Sequence, residues 1–249
     1  MRHRLIGRID IKNEYVIKGI QMEGLRKIGD PVSIALNLYK QGIDELIFMD
    51  AVASLYGRNN LFNIIDKACE HIFIPITIGG GIRSLDDIEN ALHSGADKVA
   101  INSAAVRNEK LITEASKAYG SQAIIGSIEA KKNQTNWEIY LDSGREPTGI
   151  DAIQWSKHLE ALGAGELLVT SIDCDGTKKG FDKELSSKIS SAVDIPVIFG
   201  GGLGKLSHLD DLLENSNAID AISIASMFHY KLATVCETKS HLKNILKQA

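Results

Sequence analysis

Short apolar, β-branched runs recur along the chain at fairly even intervals. They are Arg4–Ile11, Glu45–Asp50, Ile74–Gly79, Lys98–Asn102, Ala123–Ala130, Glu166–Asp173, Ile195–Gly200 and Ala221–Ser226. Each has the length of a strand and is almost continuously apolar, as a strand covered on both faces must be. Helix-like stretches lie between most of them, such as Ser84–Ser94, with Leu85, Ile88 and Leu92 on one face, and Ala152–Leu162. Strand alternating with helix predicts βαβ units and a parallel sheet. Eight such units in 249 residues predict an α/β fold closed as a (β/α)8 TIM barrel, a single domain over residues 1–249. No Pro- or Ser-rich linker divides it.

The chain also repeats itself at half its length. Ile74-Pro-Ile-Thr-Ile-Gly-Gly-Gly-Ile82 matches Ile195-Pro-Val-Ile-Phe-Gly-Gly-Gly-Leu203 at an offset of 121, with five of nine positions identical. Leu5-Ile-Gly-Arg-Ile-Asp-Ile-Lys12 matches Ile124-Ile-Gly-Ser-Ile-Glu-Ala-Lys131 at an offset of 119, with four of eight identical. The expected barrel is therefore two related (βα)4 halves, about 1–119 and 120–249.

Composition narrows the function. Hydrophobic residues make up 44% and charged residues 24%, a balance that excludes a disordered chain. A formal charge of −4 speaks against nucleic acid, whose phosphates need a basic face. It also looks unfavourable to any anionic ligand. Cys69, Cys174 and Cys236 lack disulfide, redox or metal spacing, so a cytoplasmic protein is expected. The opening Met1-Arg2-His3-Arg4-Leu5 leads into no long apolar run, and no segment approaches the roughly 20 apolar residues of a membrane span.

The glycine runs qualify the inference from net charge. Gly79-Gly80-Gly81 and Gly200-Gly201-Gly202 each follow a strand and precede a helical stretch. Consecutive glycines adopt positive φ and let backbone approach a ligand. Backbone N–H groups beside a helix start can hold a phosphate with little side-chain charge. One unit later each run is answered by a small turn, Asn102-Ser103 or Ala225-Ser226. The candidate phosphate residues are thus Gly80, Gly81, Asn102 and Ser103 on one side, and Gly201, Gly202, Ala225 and Ser226 on the other. Two such sites imply an elongated bisphosphate ligand.

Asp10 closes the first strand and Glu129 the fifth, so the repeat sets them opposite each other at the C-terminal mouth, where barrel active sites sit. Opposed carboxylates can serve as general acid and general base if their environments hold different protonation states. Pairing with the nearby Lys12 or Lys131 is the structural alternative. Asp50, Thr170, Asp173 and Asp175 end neighbouring strands and are expected at the same mouth. Asp173-Cys174-Asp175-Gly176 lacks the further spaced oxygens of a calcium loop, so no metal is expected. At the opposite face Arg4, Glu45, Lys98 and Glu166 stand at or beside strand starts. Two cations and two anions there can pair into a ring, as a structural plug or as a gate on a channel.

These segments resemble the cyclase subunit of imidazole glycerol phosphate synthase over nearly the whole length. The resemblance is carried by Asp10-Ile-Lys-Asn with Val16-Ile-Lys-Gly19, Asp44-Glu-Leu-Ile-Phe-Met-Asp50, Ile78-Gly-Gly-Gly-Ile-Arg83, Gly95–Ala105, Thr148-Gly149, Gly163-Ala-Gly-Glu166 and Thr170–Thr177. It implies a lyase of histidine biosynthesis that needs no cofactor. A glutaminase subunit on the N-terminal face would release ammonia into the barrel, with Arg4, Glu45, Lys98 and Glu166 as the gate. The implied substrate is a phosphoribulosyl-formimino aminoimidazole carboxamide ribonucleotide with two phosphates. The implied products are imidazole glycerol phosphate and an aminoimidazole carboxamide ribonucleotide. Asp10 and Glu129 would be the acid–base pair, and Lys18, Asp50, Thr170 and Asp175 would line the substrate pocket.

This chain departs from the family at the mouth. Glu129 stands where the family has aspartate, Arg8 where it usually has cysteine, and Phe199-Gly200 and Leu203 where it has smaller residues. Some relatives in surface-polysaccharide clusters are thought to supply ammonia for amidinating a sugar, and a site retuned by Glu129, Arg8 and Phe199 would fit that alternative.

Overall fold

A computed structural model describes residues 3–53, 61–213 and 219–248; Met1 and Arg2 of the opening segment lie outside them. The strands are β1 (Arg4–Lys12), β2 (Tyr15–Ile20), β3 (Glu23–Gly29), β4 (Glu45–Asp50), β5 (Ile76–Gly79), β6 (Lys98–Ile101), β7 (Ile124–Asn133), β8 (Asn136–Leu141), β9 (Glu146–Asp151), β10 (Glu166–Ser171), β11 (Val197–Gly200) and β12 (Ala221–Ile224). Eight of them pair in parallel in the order β1-β4-β5-β6-β7-β10-β11-β12, and β12 pairs back to β1, which closes the barrel. The described helices outside it are α1 (Pro31–Lys40), α2 (Leu61–Cys69), α3 (Leu85–His93), α4 (Ser103–Arg107), α5 (Lys110–Tyr119), α6 (Ala152–Leu162), α7 (Lys183–Ser190), α8 (Ser207–Leu213), α9 (Ser226–His229) and α10 (Val235–Gln248).

Several boundaries follow local chemistry. β5 and β11 begin after Pro75 and Pro196 rather than before them, since proline has no N–H to give a ladder. Those prolines still accept, from Leu46 N–H at 3.0 Å and Leu167 N–H at 2.9 Å. Ser84 caps α3 by accepting from Asp87 N–H, and Asp151 caps α6 by accepting from Ile153 and Gln154 N–H.

Two antiparallel hairpins lie outside the eight strands that the sequence predicts. β2–β3 follows β1, and β8–β9 follows β7, so each expected half carries one after its first strand. β3 and β9 are polar and largely exposed, while the buried β2 is interrupted by Lys18 and β8 alternates polar with apolar residues, so none gives a continuous apolar run.

Side chains alternate strictly across the barrel wall. Ile6, Ile47, Met49, Ala100, Ile125, Leu168, Ile198 and Ala221 point inward and form one apolar lumen cluster. Their strand neighbours Leu5, Ile9, Phe48, Val99, Ile128, Val169, Phe199 and Ile222 point outward into the larger core under the helices. By this alternation Arg8, two residues above Ile6, and Asp10 project into the lumen toward the C-terminal mouth.

Candidate active site

The mouth is a cavity lined by Arg8, Asp10, Lys18, Asp50, Glu129 and Asp175, together with Gly80, Gly81, Asn102 and Ser103. Asp10 on β1 and Glu129 on β7 lie four strands apart in either direction round the ring. Neither pairs with Lys12 or Lys131. Asp10 instead accepts from Arg8 Nε at 2.7 Å and from Lys18 Nζ at 3.2 Å. Lys18 also donates to both oxygens of Asp175 at 2.9 Å. Arg8 Nη1 donates to Thr170 Oγ1 at 2.8 Å, so its side chain reaches from β1 to β10, three strands away. Glu129 accepts one bond, from Gly144 N–H at 2.9 Å. Among the described residues no cation lies within ion-pair distance of it.

This asymmetry separates the two carboxyls. Burial alone would push Asp10 upward, but Arg8 and then Lys18 outweigh it and hold the group well below the usual carboxylate range. Burial pushes Glu129 up to about 7, opposed by Arg8 and the Gly144 N–H and reinforced by Asp10 and Asp175. At neutral pH the mouth thus holds one fixed carboxylate and one carboxyl poised between its two forms, the arrangement acid–base chemistry requires.

The remaining expected residues fall in three groups. Asp50 lines the cavity, but its Oδ1 accepts from Val52 and Ala53 N–H at 2.9 Å and shapes the turn. Thr170 is buried under Arg8. Asp173 is drawn away to Lys132 N–H at 2.7 Å. Gly80 and Gly81 have φ of 86° and 76°, and a Cβ on Gly80 would meet Asp50 O at 2.1 Å. Gly201 and Gly202 have φ of 101° and 104°, and a Cβ on Gly202 would meet Gly180 O at 1.9 Å. Only glycine fits either turn. Asn102 and Ala225 share an unusual backbone, with φ, ψ of −112°, −92° and −116°, −73°, and neither caps its helix with a side chain. The second group, Gly201, Gly202, Ala225 and Ser226, does not line the main cavity. Ser226 Oγ there is buried with no hydrogen-bond partner.

At the opposite face the four charges alternate in a closed ring. Arg4 bonds Glu45 at 2.7 Å and also Glu166, while Lys98 lies 2.8 Å from Glu166 and 3.6 Å from Glu45. The apolar lumen cluster separates this ring from the mouth.

Reading the strands alone misses what the hairpins deliver. The β8–β9 turn brings in Gly144, Ser143 and Arg145, and Arg83 and Arg107 line the cavity beside the first glycine turn. His229, buried beside the Arg8 backbone, lies near enough to Asp10 and Lys18 to feel both charges. The reading of Phe199 is corrected: its side chain is fully buried on the outer face of β11, 6.1 Å from the Phe181 ring, and not in the mouth. Leu203 joins the same outer core.

A closed parallel barrel with opposed, differently held carboxyls at its C-terminal mouth defines a (β/α)8-barrel enzyme. The chain belongs to the histidine biosynthesis protein family, whose model matches residues 4–234. It is 55% identical over 208 residues to the imidazole glycerol phosphate synthase subunit HisF of Legionella pneumophila, covering 83% of this chain and 98% of that protein. It is 44% identical over 242 residues to HisF of Clostridium botulinum (strain Okra / Type B1), covering 96% and 95%. For HisF of Bacillus cereus (strain Q1) the identity is 46% over 242 residues, covering 97% and 96%. Among the described residues no helix is long and apolar enough to cross a membrane, and no group of three His, Cys, Asp or Glu side chains could hold a metal ion.

Proposed function

We propose that the chain is the cyclase subunit of an imidazole glycerol phosphate synthase. It would use ammonia from a glutaminase subunit to split the bisphosphorylated phosphoribulosyl-formimino substrate. The observation that carries this reading is the pair Asp10 and Glu129 facing one another across a single mouth, one clamped by cations and the other not. Asp10 and Glu129 handle protons as ammonia adds and the carboxamide ribonucleotide departs. Gly80, Gly81, Asn102 and Ser103 hold one phosphate, with Arg83, Arg107 and Arg145 lending charge. Gly201, Gly202, Ala225 and Ser226, beside the main cavity and not in its lining, hold the other, a role supported by the unpartnered Ser226 hydroxyl. Lys18 and Asp175 complete the pocket, with Asp50 and Thr170 supporting it.

The glutaminase docks on the N-terminal face, and the ring of Arg4, Glu45, Lys98 and Glu166 admits ammonia to the apolar lumen. The whole assembly works in the cytoplasm. The test is turnover of the bisphosphate substrate by the isolated chain at high ammonium, followed optically. Turnover is expected, and its absence overturns the reading. Complementation of a histidine auxotroph is likewise expected; its failure alongside turnover would move the protein to the sugar-amidinating alternative.

A further inference from the structure

Resting on that reading, we propose that Arg8 is a positioning residue that divides labour between the two carboxyls, fixing Asp10 as the general base and leaving Glu129 as the general acid. Arg8 is buried and held at both ends, by Asp10 at 2.7 Å and Thr170 at 2.8 Å. Its guanidinium therefore has one place to be, directly against the Asp10 carboxylate. A cation anchored there makes protonation of Asp10 costly, because the proton would strand a buried charge. Glu129 is the register partner of Thr170 on neighbouring β10, so the same guanidinium lies near it, but among the described residues it has no cation within ion-pair distance and accepts from the Gly144 N–H.

The other groups facing the pair leave this division intact. Asp10 also meets Lys18 from β2, which Asp175 shares, and His229 from α9, which burial keeps neutral by lowering it to about 4. Glu129 feels Arg8, Asp10 and Asp175. Its register partner on β8 is Tyr140, with Lys131 Nζ 5.6 Å from that ring. The anions Asp10 and Asp175 favour a proton on Glu129, in agreement with its upward displacement to about 7.

In the reaction, the ammonia nitrogen bonds to the substrate carbon and gives a proton to Asp10. The C–N bond to the departing amine breaks as Glu129 protonates that nitrogen. In this exchange at the formimino carbon one proton is taken and one delivered; closing the ring onto the ribulosyl carbonyl expels its oxygen as water, and exchange with solvent restores both carboxyls.

The experiment compares parent, Arg8→Met and Arg8→Lys by the pH profile of ammonium-dependent kcat/KM at constant free ammonia. The parent is expected to lose activity as pH rises through about 7, where Glu129 gives up its proton. In Arg8→Met both limbs of the profile move to higher pH. The acid limb moves by about 1–3 units, the range set by an opposite charge in contact. Arg8→Lys restores the parent limbs. A purely structural role would scale the rate without moving the limbs, and that result overturns the proposal. Carboxyl carbon-13 NMR of Asp10 and Glu129 in the same three proteins reads the division without turnover. Normal Asp10 titration unchanged by Arg8→Met overturns the proposal, whereas an intact division in a chain that does not turn over overturns the cyclase reading alone.

Discussion

Glu129→Gln should make the protein more stable at alkaline pH. Burial holds the Glu129 carboxyl at about 7 in the folded chain, against an ordinary 4.5 when unfolded. Below pH 4.5 both states carry the proton and folding incurs no cost. Between the two values the unfolded chain ionises while the folded chain keeps its proton, so stability falls as pH rises; above 7 the loss is complete. The gap, at about 1.36 kcal/mol per pH unit, is worth about 3 kcal/mol. Glutamine keeps the shape and can still accept from Gly144 N–H, but has no proton to lose. Urea unfolding of parent and variant at pH 5 and pH 8 measures this directly. The advantage of the variant should grow by about 2–3 kcal/mol between the two, most of the full amount. If the two proteins track each other across that range, Glu129 is not held protonated and the assignment of separate roles to the carboxyls fails with it.

Phe199→Ala should lower stability by about 3–5 kcal/mol while leaving KM for the bisphosphate substrate unchanged, because the ring packs under the helices. A raised KM in a fully folded variant would return Phe199 to the site. Gly202→Ala should cost about 1–3 kcal/mol in a melt and weaken calorimetric binding of the bisphosphate, since the added Cβ meets Gly180 O. Asp10→Asn should lower turnover by at least about 100-fold. It should also lower stability by about 3 kcal/mol, because it unpairs Arg8 and half of the Lys18 cluster; undiminished stability to urea would contradict that pairing.

The barrel itself is legible because its eight strands are buried on both faces, and the ring and the carboxyl pair are legible because they occupy strand ends. Side-chain direction is legible too, where alternation is applied: Ile198 faces the lumen, so Phe199 beside it cannot. The contacts of Lys18 and Gly144 are not legible, since each depends on a hairpin folding back over the mouth. The same is true of the Arg8–Thr170 bond, which joins residues 162 positions apart across the lumen.

A closed barrel has no free sheet edge, but among the described residues β3 pairs only with β2, and β9 only with β8, so each hairpin reopens one beside the mouth. An unpaired edge is a template for adding a strand from another chain. Here β3 carries Glu23, Arg26 and Lys27, and β9 carries Glu146, Pro147 and Asp151. Charge on one edge and a missing N–H on the other discourage such pairing. The protein can thus build its mouth from open ribbons without inviting self-association there.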